Sequence, residues 1–523
     1  MAEPTAHPKT TARSSPPSLG DSVKVVDVEN VEHAKTSASR DNPDHHHGQR
    51  AALQPPPWIA ALSPEERRNL EKKLKRKIDL RLMPAIIIMY ILNYIDRNNI
   101  AAAKLANLER DLNLSSVEYQ TSVSILFVGY LLMQIPSNLF LNKLGKPAIY
   151  LPCCMIIWGT ISAATAACTS AAGLYAVRFF LGFVEAAYFP GCLYYLSCWY
   201  TRSELGLRTA ILYSGALISG AFSGLISAGV VGGLDGARGY SAWQWLFIIE
   251  GAATIVIAFA CFFVLPNFPR TTTWLTEEER TLAVWRLEED VGVDDWVGRK
   301  EQTFWQGAKM AFTDFRTCSG ECSMVLLFCI VASGTVTNFF PTVVNTLGYN
   351  RIHSLLLTAP PYVLAVIVTF ANAWHADKTG ERYFHIAIPM CVAIVAYIIA
   401  AATTHIAPRY LAMMLMVPSV YSGFVVALAW ISNTMPRPPA KRAAALAFIN
   451  AVSNCSSIYA SYLYPNSAAP HYTVAMVVNC VTAFIAVCAA TVMRMILSRQ
   501  NKKLARGEWV DGAINVEGFR FKL

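Results

Sequence analysis

Four ionisable side chains stand in stretches that are otherwise apolar. Asp96 and Arg97 interrupt AIIIMYILNYIDRNNIAAAKL, and Arg178 and Glu185 interrupt LYAVRFFLGFVEAAYF. A charge in hydrocarbon costs several kcal/mol unless it is paired or hydrated, so each is a functional candidate by default. Asp96 lies about 14 residues, roughly 21 Å of helix, into its apolar run. Tyr90, Asn93 and Arg97 follow at helical intervals of three and four and share one face. Arg178 and Glu185 are about two turns apart, stacked on one face about 10.5 Å from each other rather than paired, and Tyr188 continues that face. A guanidinium keeps its charge and offers a carboxylate two parallel donors. Arg97 and Arg178, with Tyr90, Asn93 and Tyr188, are therefore expected to bind an anion, and Asp96 and Glu185 to carry protons. Neutralising the arginine with an anion removes the charge that keeps a nearby carboxylate ionised, which couples the two events. The plainer alternatives are a helix end at the membrane surface for Asp96 and Arg97, and a structural ion pair for Arg178 and Glu185.

Other polar groups carry weaker signals. Glu250 reads as a third proton site or equally as a helix-packing carboxylate. Asn450, Ser453, Asn454, Ser457 and Ser461 form a stripe that fits either a cavity wall or interhelical hydrogen bonding. Asn338 with Pro341 suggests a bent gating helix, since proline frees a carbonyl and kinks the axis. Trp430 and Tyr421 read as core or interfacial packing before site residues.

The elements that must position these groups are legible in the composition. Of 523 residues, 54% are hydrophobic and 15% charged, against about 25% charged in ordinary soluble domains. The apolar residues come in blocks of about 20, the length that crosses about 30 Å of hydrocarbon. Twelve such blocks are expected, near 82–103, 118–140, 147–167, 173–197, 209–231, 245–265, 323–346, 354–374, 384–404, 408–432, 442–464 and 472–497. The expected organisation is a disordered tail over 1–60, a basic juxtamembrane helix over 61–81 and a six-helix bundle over 82–265. A linker over 266–322, a second six-helix bundle over 323–497 and a tail over 498–523 follow. The thirteen cysteines fall mostly inside apolar blocks, where a thiol is a small buried hydrophobe. Neither CxxC pairs nor an HExxH helix occurs, which argues against a metal centre, and the lack of nucleotide-loop or nucleophile motifs argues against an enzyme.

The net charge of +9 is explained by topology rather than by nucleic acid. With the N-terminus inside, the cytosolic flanks from residue 64 onward hold 31 Lys and Arg and the opposite loops five, Lys104, Arg110, Arg238, Arg351 and Arg409. Both termini are therefore expected in the cytosol. Asn113-Leu114-Ser115 is then an external glycosylation sequon lying close to the membrane.

The halves echo one another. Asn138-Leu-Phe-Leu-Asn142-Lys143-Leu-Gly145-Lys146 follows the second block, and Ala373-Trp-His-Ala-Asp377-Lys378-Thr-Gly380-Glu-Arg382 follows the eighth. Both end on an Asx-Lys-x-Gly turn, expected as a gate loop at the cytosolic face. The loops resemble the Gly-x-x-x-Asp-Arg-x-Gly-Arg signature of the major facilitator superfamily, with Asn138 and Asn142 replacing the Gly and the Asp. Further motifs, Asn93-Tyr-Ile-Asp-Arg-Asn-Asn-Ile100, Arg178-Phe-Phe-Leu-Gly-Phe-Val-Glu-Ala186, Phe189-Pro-Gly191, Trp199-Tyr-Thr-Arg202 and Trp245-Leu-Phe-Ile-Ile-Glu-Gly251, are similar to the anion:cation symporter family in its fungal allantoate-permease-like branch. The similarity spans about residues 80–497.

The resemblance implies an all-α integral membrane protein with twelve transmembrane helices in two pseudo-symmetric six-helix bundles. It implies proton-coupled movement of organic anions such as allantoate, nicotinate, pantothenate, tartrate or sugar acids, with the equivalents of Asp96, Arg97, Arg178 and Glu185 serving substrate and proton. The expectation is thus a monomeric, plasma-membrane transporter whose partners are a small organic anion and the lipid bilayer, with no nucleic acid, no metal and no cofactor beyond the coupling proton. An exporter of an acidic secondary metabolite and a non-transporting nutrient sensor are the alternatives.

Overall fold

The computed structural model describes residues 55–291, 318–434, 448–508 and 520–523. Residues 1–54 of the tail expected over 1–60, much of the linker and the start of the eleventh block lie outside the described residues, and the described end of that tail forms a short helix, Pro57–Ala60. Among those described, all regular structure is helical.

The first half holds α1 (Pro64–Leu105), α2 (Ser116–Leu144), α3 (Pro147–Ala164), α4 (Ala171–Glu185), α5 (Tyr188–Ser197), α6 (Arg202–Gly233) and α7 (Ala242–Val264). After the polar helix α8 (Glu277–Val291) come α9 (Cys318–Ser333), α10 (Phe340–Asn345), α11 (Arg351–Leu356), α12 (Ala359–Thr379), α13 (Phe384–Ala402), α14 (Ile406–Thr434), α15 (Ser456–Ala460) and α16 (Thr473–Ala505). Ten helices or helix pairs among the described residues are long and apolar enough to cross a membrane. The place of the second expected span is taken by α2, richer in Ser, Gln and Asn, and that of the eleventh is only partly described.

Local sequence sets the boundaries. Four helices begin on a capping box, Ser63 with Glu66, Ser115 with Glu118, Thr201 with Glu204 and Ser241 with Gln244, in which each end satisfies the other's backbone N–H. The Ser115 hydroxyl of the sequon is thus engaged in capping α2. The two repeated loops end their helices alike: Gly145 (φ 64°) and Gly380 (φ 71°) adopt the left-handed conformation and donate to the carbonyls of Leu141 and Ala376, each at 3.0 Å. Two expected spans are broken. The fourth is interrupted between Glu185 and Tyr188, just before Pro190. In the seventh a 3-10 segment, Gly334–Phe339, separates α9 from α10, with Pro341 in the first turn of α10.

Packing repeats between the halves. In the first, α2 pairs with α4 and α3 with α7; in the second, α12 pairs with α14 and α13 with α16. Glycines permit the closest crossing: a Cβ on Gly182 would fall 2.0 Å from the Leu126 carbonyl oxygen, and one on Gly129 would fall 2.2 Å from that of Phe179. Backbone contact of this kind holds helices together in lipid, where burying apolar side chains against one another gains little. Exposed apolar side chains such as Val256, Phe263, Ile367 and Phe484 cover the outer faces, as a bilayer requires.

Candidate functional site

Between the halves lies a cavity of about 110 Å³. At about 30 Å³ per water it has room for roughly four waters. From the first half Tyr90, Asn93, Tyr94, Arg97 and Asn98 of α1 reach it, with Phe127 and Tyr130 of α2, Phe189 of α5 and Tyr213 of α6. From the second half come Thr335, Thr337 and Asn338 of the 3-10 segment, Tyr421 and Phe424 of α14, and Asn450, Asn454 and Ser457.

Arg97 is the one charged side chain on the cavity wall among the described residues. Its Nε donates to Glu185 Oε2 at 2.9 Å, and its guanidinium lies 4.7 Å and 5.1 Å from the ring centres of Tyr130 and Tyr94. Two aromatic faces and one carboxylate thus hold the cation with few of its donors used. Glu185 is fully buried and its Oε1 has no partner. It ends α4 at the break, which turns it toward α1.

The other predicted charges sit one layer out. Arg178 is buried; its Nη2 donates to the Arg97 carbonyl oxygen at 3.2 Å, its Nε to that of Ser122 at 3.4 Å, and Nη1 has no partner. It braces α1 against α2 and α4 and does not line the cavity. Asp96 points away from the cavity, accepting from Ser162 at 2.7 Å and Thr254 at 2.8 Å. Glu250, one turn before Thr254 on α7, is buried with neither oxygen partnered and interacts electrostatically with Asp96. Tyr188 lies behind Tyr90, stacked 5.8 Å between ring centres, and donates to the Ile86 carbonyl oxygen at 2.6 Å.

Of the predicted binding residues, the structure therefore brings Tyr90, Asn93 and Arg97 to the cavity with Glu185 directly behind, and leaves Arg178, Tyr188, Asp96 and Glu250 outside its lining. Asn338, Asn450 and Asn454 reach it from the opposite wall, where Asn454 Nδ2 also donates to the Asn450 carbonyl oxygen at 2.8 Å. Tyr421 lines it too, whereas Trp430 is buried elsewhere and donates to the Lys522 carbonyl oxygen at 3.0 Å. Sequence reasoning missed Tyr94, Phe127, Tyr130, Tyr213 and Phe424. Tyr94 alone carried a signal, adjacent to Asn93 and three residues before Arg97.

The gate-loop residues are not among those that line the cavity. Asp377 pairs with Arg382, Lys378 rests 5.2 Å over the Trp374 ring, and Lys143 is exposed. The Asn142 side chain lies outside the described ones.

Several contacts join the halves near the end of α1 that carries Lys104. Lys104 Nζ donates to Asn466 Oδ1 at 2.8 Å and pairs with Glu109 at 3.2 Å, while Asn466 Nδ2 donates to Glu109 at 3.2 Å. Ser124 donates to the Ile458 carbonyl oxygen at 3.0 Å, and Thr121 meets the Tyr462 hydroxyl at 3.1 Å. On α6, Gly220 and Gly224 admit Tyr362 and Thr358 of the other half against the backbone. Among the described residues no group of three or more His, Cys, Asp or Glu side chains is placed to hold a metal.

The Major Facilitator Superfamily model matches residues 86–461. The chain is 33% identical to the MFS-type transporter cnsO of Penicillium expansum, covering 83% of this chain and 84% of that one. It is 34% identical to the MFS transporter prlL of a fungal species (strain NRRL 50135), covering 69% and 72%. Among solved structures it is similar in fold to a bacterial homolog of the human lysosomal transporter Spinster in an inward-facing, unoccupied conformation, with TM-score 0.61 at 16% identity over 86% of this chain and 100% of that one.

Proposed function

Since the chain belongs to the Major Facilitator Superfamily, a multi-pass membrane transporter and not an enzyme, we propose that it imports a small organic anion together with protons by alternating access. The observation that carries this reading is the Arg97–Glu185 pair at the cavity wall. The arginine presents a permanent positive charge to the cavity, and the carboxylate behind it is the group whose charge an arriving anion disturbs. When the anion takes the guanidinium, Glu185 loses part of its countercharge inside a dry interface and is more easily held as the neutral acid. Protonation in turn releases the arginine to the substrate. Asp96, hydrogen-bonded between α3 and α7, serves as a second proton position on the same helix as Arg97. Arg178 holds the α1 backbone at Arg97 in place and completes the positive field.

The specialised reading is the anion:cation symporter family in its allantoate-permease-like branch, acting at the plasma membrane with both termini in the cytosol. Under that orientation the Lys104–Glu109–Asn466 contacts seal the outer end and the cavity belongs to an inward-facing state. With the interior negative, each net positive charge moved inward gains about 2.3 kcal/mol per 100 mV.

The test is uptake of labelled carboxylates into proteoliposomes with an acidic exterior. Wild type is expected to accumulate substrate against its gradient, and Glu185→Gln to retain exchange of substrate across the membrane while losing accumulation. Accumulation by Glu185→Gln equal to wild type would remove the proton role from this residue. Outward accumulation alone would favour an exporter, and binding without any flux a sensor.

A further inference from the structure

Away from the cavity, the end of the second half that carries the Asp377 loop is crossed by a short segment, residues 520–523, which meets three separate elements there. Asn501, on α16, treats Phe521 as a residue of a neighbouring strand would. Its Nδ2 donates to the Phe521 carbonyl oxygen at 2.9 Å, and its Oδ1 accepts from the Phe521 N–H at 2.8 Å. Trp430, wholly buried on α14, gives its indole N–H to the next carbonyl, that of Lys522, at 3.0 Å. The Leu523 carbonyl oxygen accepts from the backbone N–H of Arg382, in the loop between α12 and α13. Side chains alternate along the segment in the manner of a strand: Arg520 and Lys522 are exposed, Phe521 is 7% exposed and part of the core, and Leu523 packs against that core.

Three consecutive carbonyls and one N–H are thus bonded by groups outside the segment, with one aromatic ring as the buried anchor. This is the division of labour in strand-like peptide recognition, where main-chain bonds supply affinity and alternate side chains supply specificity. Removing the segment would strip the Trp430 indole N–H of its acceptor. It would also strip the loop of a main-chain tie, since its other ties run through side chains: Arg382 to Asp377, Glu381 to Arg494 at 3.4 Å and Tyr383 to Thr491 at 3.1 Å. We infer that Trp430, Asn501 and the Arg382 backbone form a peptide seat, that residues 520–523 are its resident ligand, and that the seated segment straps the Asp377 loop to α14 and α16. The chemistry the seat accepts is an extended peptide with one buried aromatic residue between exposed positions. Tethering supplies an effective concentration on the order of millimolar, so a modest affinity keeps the strap closed and still lets it open. The inference does not depend on what the cavity carries.

Amide hydrogen exchange at Arg382, read in the purified full chain, tests this. Phe521→Asp takes the anchor out of the core and Asn501→Ala removes the paired bonds. Each is expected to speed exchange at Arg382 at least about tenfold, while Lys522→Ala, at an exposed side chain, leaves it unchanged. The free tetrapeptide Arg-Phe-Lys-Leu at about 1 mM should then restore protection to Phe521→Asp, and the same peptide with alanine for phenylalanine should not. Neither peptide should restore it to Asn501→Ala. Exchange at Gly145, the cap of the matching loop in the first half, stays constant when release is local and rises when a variant fails to fold. Trp430→Phe, which keeps a ring and loses the N–H, takes the place of such a variant. Unchanged exchange at Arg382 in the folded variants, or equal restoration by the alanine peptide, overturns the inference. Faster exchange that the tetrapeptide does not reverse leaves a contact without a seat and overturns it as well.

Discussion

On the side of the first six helices, Arg97 faces the cavity with Glu185 at its back, and Arg178, Asp96 and Glu250 are packed one layer further out. The last six meet the same space with amides, hydroxyls and two rings. Yet the frameworks repeat: the same neighbour pairs form, and the two Asx-Lys-x-Gly loops end their helices with the same left-handed glycine. The halves are alike in the scaffold and differ along the cavity wall. One half supplies the charged groups, Arg97 on the lining and the carboxylates packed behind it, and the other supplies a neutral surface.

The largest test of that division is Arg97→Ala. It removes the only cation on the described lining and strands a buried carboxylate, and a loss of about 3 kcal/mol or more corresponds to at least about a hundredfold in kcat/KM for anion uptake. An unaffected uptake rate would put the binding charge elsewhere. Adding charge to the neutral wall should break the division from the other side: Asn338→Arg is expected to improve dicarboxylate uptake about tenfold relative to monocarboxylate, by creating a partner for the second charge. Competition between the two substrates in one vesicle preparation measures the ratio directly. Trimming the neutral wall should matter less. Asn454→Ala removes one amide that already bonds to Asn450, and an effect near 1 kcal/mol, about fivefold in KM with kcat kept, is expected.

The smallest effect lies outside the membrane spans. Partial burial of Asp111 is outweighed by bonds from Ser241 at 2.6 Å and Trp243 at 3.0 Å, which hold its carboxyl below the ordinary value. A depressed carboxylate contributes stability that is present above its unfolded value of about 3.9 and is lost as pH falls through the folded value. Ser241→Ala should therefore lower the melting temperature slightly at neutral pH, and the gap to wild type should close below about pH 4. A gap that stays constant with pH would assign the serine to capping α7 alone.

Much of this was legible in the chain. Spacings of three and four placed Tyr90, Asn93 and Arg97 on one face of α1, and Pro190 and Pro341 stand beside the two broken spans. Asp96 was singled out, and its direction follows from the same geometry: consecutive helical residues point about 100° apart, so a carboxylate next to Arg97 in sequence faces α3 and α7 and not the cavity. The aromatic wall escaped because Tyr130, Tyr213 and Phe424 come from three different helices, and only the docking of one half on the other makes them neighbours. Asn338 and Asn454 were visible as polar breaks in apolar runs, but nothing local distinguishes a cavity wall from an interhelical bond.

Helix α1 runs unbroken for 42 residues, about 63 Å, or about twice the hydrocarbon thickness. Its first 20 residues bind α8 through Arg67 to Glu289 and Lys77 to Glu279, and its last 22 carry Asp96, Arg97 and Lys104. Pro84 sits between these arms and withholds one backbone hydrogen bond. The helix stays continuous across that gap, so the ion pairs of the surface helices and the cation on the cavity wall are borne on one rod.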